Sequence, residues 1–256
     1  MSATLFETRA LRVDIGGKRV CNGLDLAVGS GESWAILGLN GVGKTTLLHT
    51  LAGLRAPAAG EIHLRQRPLA DWPARELARA RGLMPQDTVD AFPLTVLEAA
   101  LVGRYPHTPG WGWESAADLR LARQVLRRAD LDGIEERDCA TLSGGERRRL
   151  ALAALLTQQP ELYLLDEPTH HLDPHHQITL LDLLAAECRD GKAAIMTLHD
   201  PNLAARYCSH VLLLFGDGTT ASGPSAGVLS AEALTRLYRH PMHGIESAAG
   251  RCFLPG

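Results

Sequence analysis

The run Gly38-Leu39-Asn40-Gly41-Val42-Gly43-Lys44-Thr45 fits G-x-x-x-x-G-K-[ST], a pattern whose residue types suit the binding of a polyphosphate. Backbone N–H groups at a helix N-terminus meet concentrated negative charge with dipoles already oriented. Gly41 and Gly43 permit a tight backbone that a Cβ would block. Lys44 reaches β- and γ-phosphate oxygens, and the hydroxyl of Thr45, followed by Thr46, suits Mg²⁺. The implied ligands are ATP and Mg²⁺. A second candidate is Asp166, which ends the apolar run Leu162 to Leu165. A carboxylate at the carboxyl end of a buried strand faces the ligand crevice of an α/β sheet, where it would hold Mg²⁺. Glu167 follows it. The third is Leu142-Ser143-Gly144-Gly145-Glu146, which offers hydroxyl and N–H groups at the start of a helix over Arg147 to Leu155. Standing alone, SGGE also reads as a helix cap.

These groups need a scaffold. Leu11 to Val13 and Leu24 to Val28 read as short strands around a hairpin at Gly16-Gly17. Ser33 to Leu37 is a buried strand leading into the glycine loop, and Lys44 to Leu54 has helical periodicity stopped by Gly53 and Pro57. From Gln86 to Thr157 apolar residues recur at helical spacing, around the breaker-rich Pro106 to Gly112. Leu162 to Leu165 and Ala193 to Leu198 return to strand character with a helix from Gln177 to Cys188 between them, which implies parallel strands. Val211 to Phe215 is a further strand, followed by a turn-rich stretch from Gly216 to Gly227. Ser230 caps a helix to Tyr238, and the last dozen residues read as irregular. The expected class is α/β.

Composition bounds the function. The chain has 256 residues, 45% of them hydrophobic and 21% charged, with a formal charge of −3, which suits one α/β domain with an inserted subdomain and argues against nucleic acid as a partner. Only Lys18, Lys44 and Lys192 are lysines. Cys21, Cys139, Cys188, Cys208 and Cys252 form no C-x-x-C pair, so they read as reduced thiols. No apolar run suits a signal peptide or a membrane span; any membrane service would act through a partner.

In order and spacing, the glycine loop, LSGGE and the acidic strand end resemble the nucleotide-binding subunit of an ATP-binding-cassette (ABC) transporter, over about Leu11 to Leu237. The resemblance implies a P-loop NTPase with a mixed-sheet core, an N-terminal antiparallel β subdomain and an inserted helical subdomain. The core would comprise residues 1–85 and 158–256, and the helical part 86–157. It implies that Glu167 orients the attacking water, that Gln86 is the Q-loop glutamine sensing Mg²⁺ and water, and that His199 is the switch histidine on the γ-phosphate. It implies further that Ser143, Gly144 and Gly145 close on the nucleotide of a second copy in a head-to-tail homodimer, with Asp173 in the loop crossing that interface. The adenine-stacking position is Ile15, where an aromatic residue is usual, and Val20 would add an apolar contact.

Gly103-Arg104-Tyr105-Pro106-His107, His199 to Leu203 and Leu237-Tyr238-Arg239-His240-Pro241 resemble importers of vitamin B12, ferric siderophore and haem. Partners would then be a permease dimer and, indirectly, a periplasmic binding protein, with the chain on the cytoplasmic face of a bacterial inner membrane. A soluble cassette ATPase of iron–sulfur assembly shares every phosphate motif. DNA-repair cassettes need a long coiled coil before LSGGE, and translation-linked ones need two cassettes; neither feature is present. His170, His171, His175 and His176, and His240 with His243, suggest metal binding, but adjacent histidines point apart and Pro174 breaks the first group. Trp111 and Trp113 suit either a partner surface or a local core.

Overall fold

The computed structural model describes residues 4–86, 93–108, 114–247 and 250–256. Gly16 and Gly17 take φ of 53° and 78°, the left-handed pair that lets a two-residue turn match strand twist. They join β1 (Thr4–Ile15) to β2 (Lys18–Gly29), strands much longer than the short runs that announced them. The wholly buried β3 (Ser33–Gly38) runs into the glycine loop, and α1 (Lys44–Leu51) leaves it. β4 (Ala59–Leu64) and β5 (Arg67–Pro68) extend the hairpin into an antiparallel sheet of order β2-β1-β4-β5. Sequence reasoning missed β4, because its first half, Ala-Gly-Glu, is exposed and only Ile62, His63 and Leu64 are buried.

The molecule divides into two compact units, residues 1–72 with 187–256, and residues 73–186. In the second, α2 (Ala74–Ala80) leads to β6 (Arg81–Met84), and α3 (Val96–Leu101), α4 (Ala116–Arg128) and α5 (Gly144–Gln158) follow. Each of these last three starts with a reciprocal cap: Thr95 with Glu98, Ser115 with Asp118, and Ser143 with Glu146. A cap of this kind satisfies two orphan N–H groups at once. Leu97, Ala100, Val125, Leu126 and Ala153 are buried where the helices meet. β7 (Leu162–Leu165) lies parallel to β6, from Arg81↔Leu162 to Met84↔Leu165, and α6 (Pro174–Arg189) follows. Trp111 and Trp113 lie outside the described residues.

The chain then completes the first unit with β8 (Ala193–Thr197), α7 (Pro201–Tyr207), β9 (His210–Leu214) and β10 (Thr220–Pro224). There β3 has β8 and β9 as parallel neighbours, and β10 pairs antiparallel to β9, so the sheet is mixed. Burial on both faces explains the unbroken apolar runs of β3, β8 and most of β9. After α8 (Ser225–Val228), α9 (Ala231–Tyr238) begins as expected, with Ser230 accepting from the Ala233 N–H.

The expected irregular tail is instead a hairpin, β11 (Met242–Ser247) with β12 (Gly250–Pro255). Its residues lack strand alternation; what organises it is tertiary. Phe253 is buried, its N–H donates to Asn202 Oδ1 at 2.7 Å, and its carbonyl accepts from Asn202 Nδ2 at 3.2 Å. Asn202→Ala removes both partners of a part-buried peptide group, which costs about 1–3 kcal/mol. Urea denaturation should show that loss.

Candidate functional site

In the first unit, β3 ends at Gly38 and the chain wraps directly into α1. A Cβ on Gly38 would stand 2.9 Å from Val42 Cγ1 and 3.0 Å from the Leu214 carbonyl oxygen. Gly43, the N-cap of α1, has φ of 107°, and a Cβ there would stand 2.5 Å from Val20 Cγ2. Leu39 is half-buried, Asn40 and Gly41 are exposed, and Val42, Thr45 and Thr46 are half-buried. Lys44 is buried, and its Nζ donates to the carbonyls of Gly38 (3.0 Å) and Leu39 (3.3 Å). The loop is thus folded around its own lysine, with its outer backbone open to solvent.

Ile15 is 40% exposed at the end of β1, an open apolar surface. Val20 is fully buried beneath Gly43; it supports the loop and presents no surface to a base. His199 is exposed after β8, and Asp200 caps α7 through the Asn202 N–H at 2.8 Å. The Tyr238 hydroxyl donates to the His199 carbonyl at 3.2 Å.

In the second unit, Asp166 is fully buried at the end of β7, its N–H donating to the Met84 carbonyl at 2.9 Å. Glu167 follows in the left-handed region, with φ of 47°. Gln86, exposed just past β6, donates from Nε2 to Glu167 Oε2 at 3.2 Å. The parallel pairing of β6 and β7 therefore brings together two residues far apart in sequence. Within this unit the buried Asp166 carboxylate and the Gln86 carboxamide offer hard oxygens, as the Thr45 hydroxyl does within the first unit, and each suits Mg²⁺ over softer metals.

Ser143 is the N-cap of α5. Its hydroxyl accepts from the Glu146 N–H at 3.2 Å, and its own N–H donates to Glu146 Oε2 at 2.7 Å. The Ser143 N–H first and the Ser143 hydroxyl second, ahead of the Arg137 guanidinium, hold the Glu146 carboxyl below its ordinary range. Asp173 accepts from both the N–H and Nδ1 of His176, at 2.9 and 2.7 Å, and the N–H bond leads in lowering its carboxyl. His176 Nε2 lies 3.5 Å from Asp130, and the rings of His170 and His171 lie 3.8 Å apart, tilted by 34°. Among the described residues no group of three or more His, Cys, Asp or Glu is arranged to hold a metal ion.

The sequence family described as "ABC transporter" matches residues 21–170. This chain belongs to that family. It is an ATP-binding cassette and an ATPase. It is 41% identical over 231 residues to the hemin import ATP-binding protein HmuV of Nocardia farcinica, covering 90% of this chain and 79% of that one. The HmuV of Streptomyces coelicolor is 40% identical over 234 residues, 91% of this chain and 82% of its own. Among solved structures, a metal-chelate type ABC transporter in an inward-facing conformation superposes with a TM-score of 0.86 at 27% identity, over 99% of this chain and 98% of that one. A dimeric cassette in a post-hydrolysis state, bound to ADP and Pi, gives 0.73 at 25% identity, over 86% and 99%.

Sequence reasoning gave Val20 another role and missed Arg148. Val20, expected beside adenine, lies under the loop against Gly43, a place its apolarity alone does not mark. Arg148 is buried, and its signal was present, an arginine run placed directly after the signature, but nothing local says which arginine turns inward. The cramped loop yields a direct test. In Gly43→Ala the left-handed backbone carries about 1–3 kcal/mol of strain besides the contact with Val20. ATP affinity, by titration calorimetry, should fall roughly tenfold to a hundredfold.

Proposed function

We propose that this cassette drives a bacterial importer for a metal chelate of the haem, ferric siderophore or cobalamin kind, working from the cytoplasmic face of the inner membrane. Relatives named for hemin import support that substrate class, as does the metal-chelate transporter among its structural neighbours. No helix among the described residues is long and apolar enough to cross a membrane, so a permease would carry the substrate, supplied by a periplasmic binding protein. The observation that carries the reading is a groove in the second unit, lined by Leu83, Met84, Pro85, Val102, Tyr105 and Leu155 among others. Tyr105 is 81% and Val102 58% exposed beside it, and its edge leads to Gln86. An exposed aromatic at an apolar groove is the anatomy of a protein contact, here for a helix of the permease. The division into a core of 1–85 with 158–256 and a helical part of 86–157 remains our functional reading.

Residues 38–46 would cradle ATP, Lys44 turning its charge from the Gly38 and Leu39 carbonyls to the β- and γ-phosphates. Ile15 would pack on adenine. Asp166, Thr45 and Gln86 would hold Mg²⁺, which neutralises phosphate charge when bound. Glu167 would orient and deprotonate water, its carboxylate aimed by Gln86, and His199 would contact the γ-phosphate. Ser143, Gly144 and Gly145 would close on the nucleotide of a second copy, with Asp173 crossing a two-fold interface. A Cβ on Gly144 would meet nothing within 4 Å, and one on Gly145 only ordinary contacts. Neither glycine is therefore needed by the packing of its own chain, which supports a demand from outside it.

Glu167→Gln should retain ATP binding, lose hydrolysis and accumulate as a dimer in ATP on size-exclusion chromatography; full ATPase activity would remove Glu167 from its role. A tagged chain drawn from solubilised membranes should bring a polytopic permease. Tyr105→Asp should lose the permease while ATP binding holds. Recovery of soluble cluster-assembly proteins alone would overturn the importer.

A further inference from the structure

Arg148 sits on α5, just inside the helix start formed by Ser143, Gly144 and Gly145. A guanidinium has five N–H donors in a rigid planar fork, and here five main-chain carbonyls meet them. Nε donates to Pro168 at 3.3 Å. One terminal nitrogen donates to Pro85 at 2.9 Å and to Gln86 at 2.6 Å. The other donates to Asp166 and Glu167. The side chain is only 8% exposed, so these bonds form largely out of water, where breaking them is costly.

The identity of the five acceptors matters more than their number. Two belong to the segment that carries Gln86. Three belong to the segment that carries Asp166 and Glu167. Glu167 has the left-handed backbone, φ 47°, that a residue with a Cβ adopts only when its surroundings impose it. Its carbonyl is one of the five. The guanidinium thus pins the strained residue and its aiming partner, Gln86, to a single rigid helix. That same helix presents the signature residues at its start, about one turn before Arg148.

We infer that Arg148 is a positioning residue for hydrolysis: it fixes the Glu167 carboxylate and the Gln86 carboxamide relative to the signature helix, so that a shift of α5 on engaging nucleotide is transmitted to the group that orients water. The inference rests on the role proposed for Glu167. Arg148 touches no substrate, and its effect belongs in kcat and not in nucleotide affinity.

The test uses the purified full chain in five forms: wild type, Arg148→Lys, Arg148→Ala, Glu167→Gln and the double variant Arg148→Lys with Glu167→Gln. Lysine keeps the charge and stem, but its single ammonium cannot span two segments. Arg148→Lys should lower kcat roughly a hundredfold, as displacements near 1 Å do, while KM and ATP affinity stay within about threefold of wild type. In the Glu167→Gln background the same change should have almost no further effect on the residual rate, because the group it positions is gone. Arg148→Ala with millimolar methylguanidinium should recover at least part of the lost kcat, and methylammonium should not. Wild-type kcat in Arg148→Lys would overturn the inference, as would equal losses of kcat in both backgrounds or a matching loss of ATP affinity. If Glu167→Gln hydrolyses ATP normally, the reading of Glu167 fails and the inference falls with it; if Glu167→Gln is inactive and Arg148→Lys is not, only the inference fails.

Discussion

The nucleotide loop is governed by lack of room. Its two ends, Gly38 and Gly43, lie where a single Cβ would meet Val42, Leu214 or Val20 at or below 3.0 Å. The loop is therefore wrapped as tightly as main chain allows, and its N–H groups are oriented before any ligand arrives. A ligand then meets fixed dipoles at no cost of ordering them. Two elements enforce this. β3 is buried along its whole length and flanked by parallel neighbours on both sides, so the loop starts from a fixed point. Val20, from the separate antiparallel hairpin, closes it from below. The hairpin and the mixed sheet thus share one task, although only the sheet carries the recognised motif.

A second economy appears in the glycines of the signature. Gly38 and Gly43 are small because their own chain crowds them; Gly144 and Gly145 are small where their own chain leaves space. The Ser143–Glu146 box has already satisfied the N–H at the third position of α5, and the helix start keeps its dipole directed outward. The same box begins α3 and α4 with Thr95 and Ser115, where no glycine follows. Capping alone therefore accounts for the serine and the glutamate. It does not account for the glycine pair, and the contrast among three helices of one unit separates structural residue choice from functional choice.

What was legible in sequence was whatever is local. The loop, the strand end at Asp166 and the Ser143 helix start each lie within a few consecutive residues, and the structure has a strand, turn or helix boundary at every one. The Ser230 cap was read on the same basis. Illegible were features made by contact between distant segments. β4 is half exposed and exists because β1 pairs with it from Phe6↔Leu64 to Arg12↔Ala59. The tail hairpin depends on one asparagine 51 residues away. Arg148 is one of three consecutive arginines, and helical geometry alone sends it inward to carbonyls 18 to 63 residues distant. Periodicity cannot report such partners, because the pattern that identifies them lies in another segment.

The tail shows how such remote contacts reach the chemistry. His199 lies two residues past β8 and stands exposed, so little local structure fixes it. Tyr238, from α9, donates its hydroxyl to the His199 carbonyl. Burial, more than the nearby Asp200, raises that hydroxyl to about 12; it stays protonated, and so a donor, well above neutral pH. Three residues past His199, Asn202 holds the main chain of Phe253 through both its amide atoms. The segment from His199 to Asn202 is thus tied at two points, to α9 and to β12. A stretch that reads as an irregular appendix in sequence thus holds the main chain at Asn202, just past β8, and buries Phe253 as it does so.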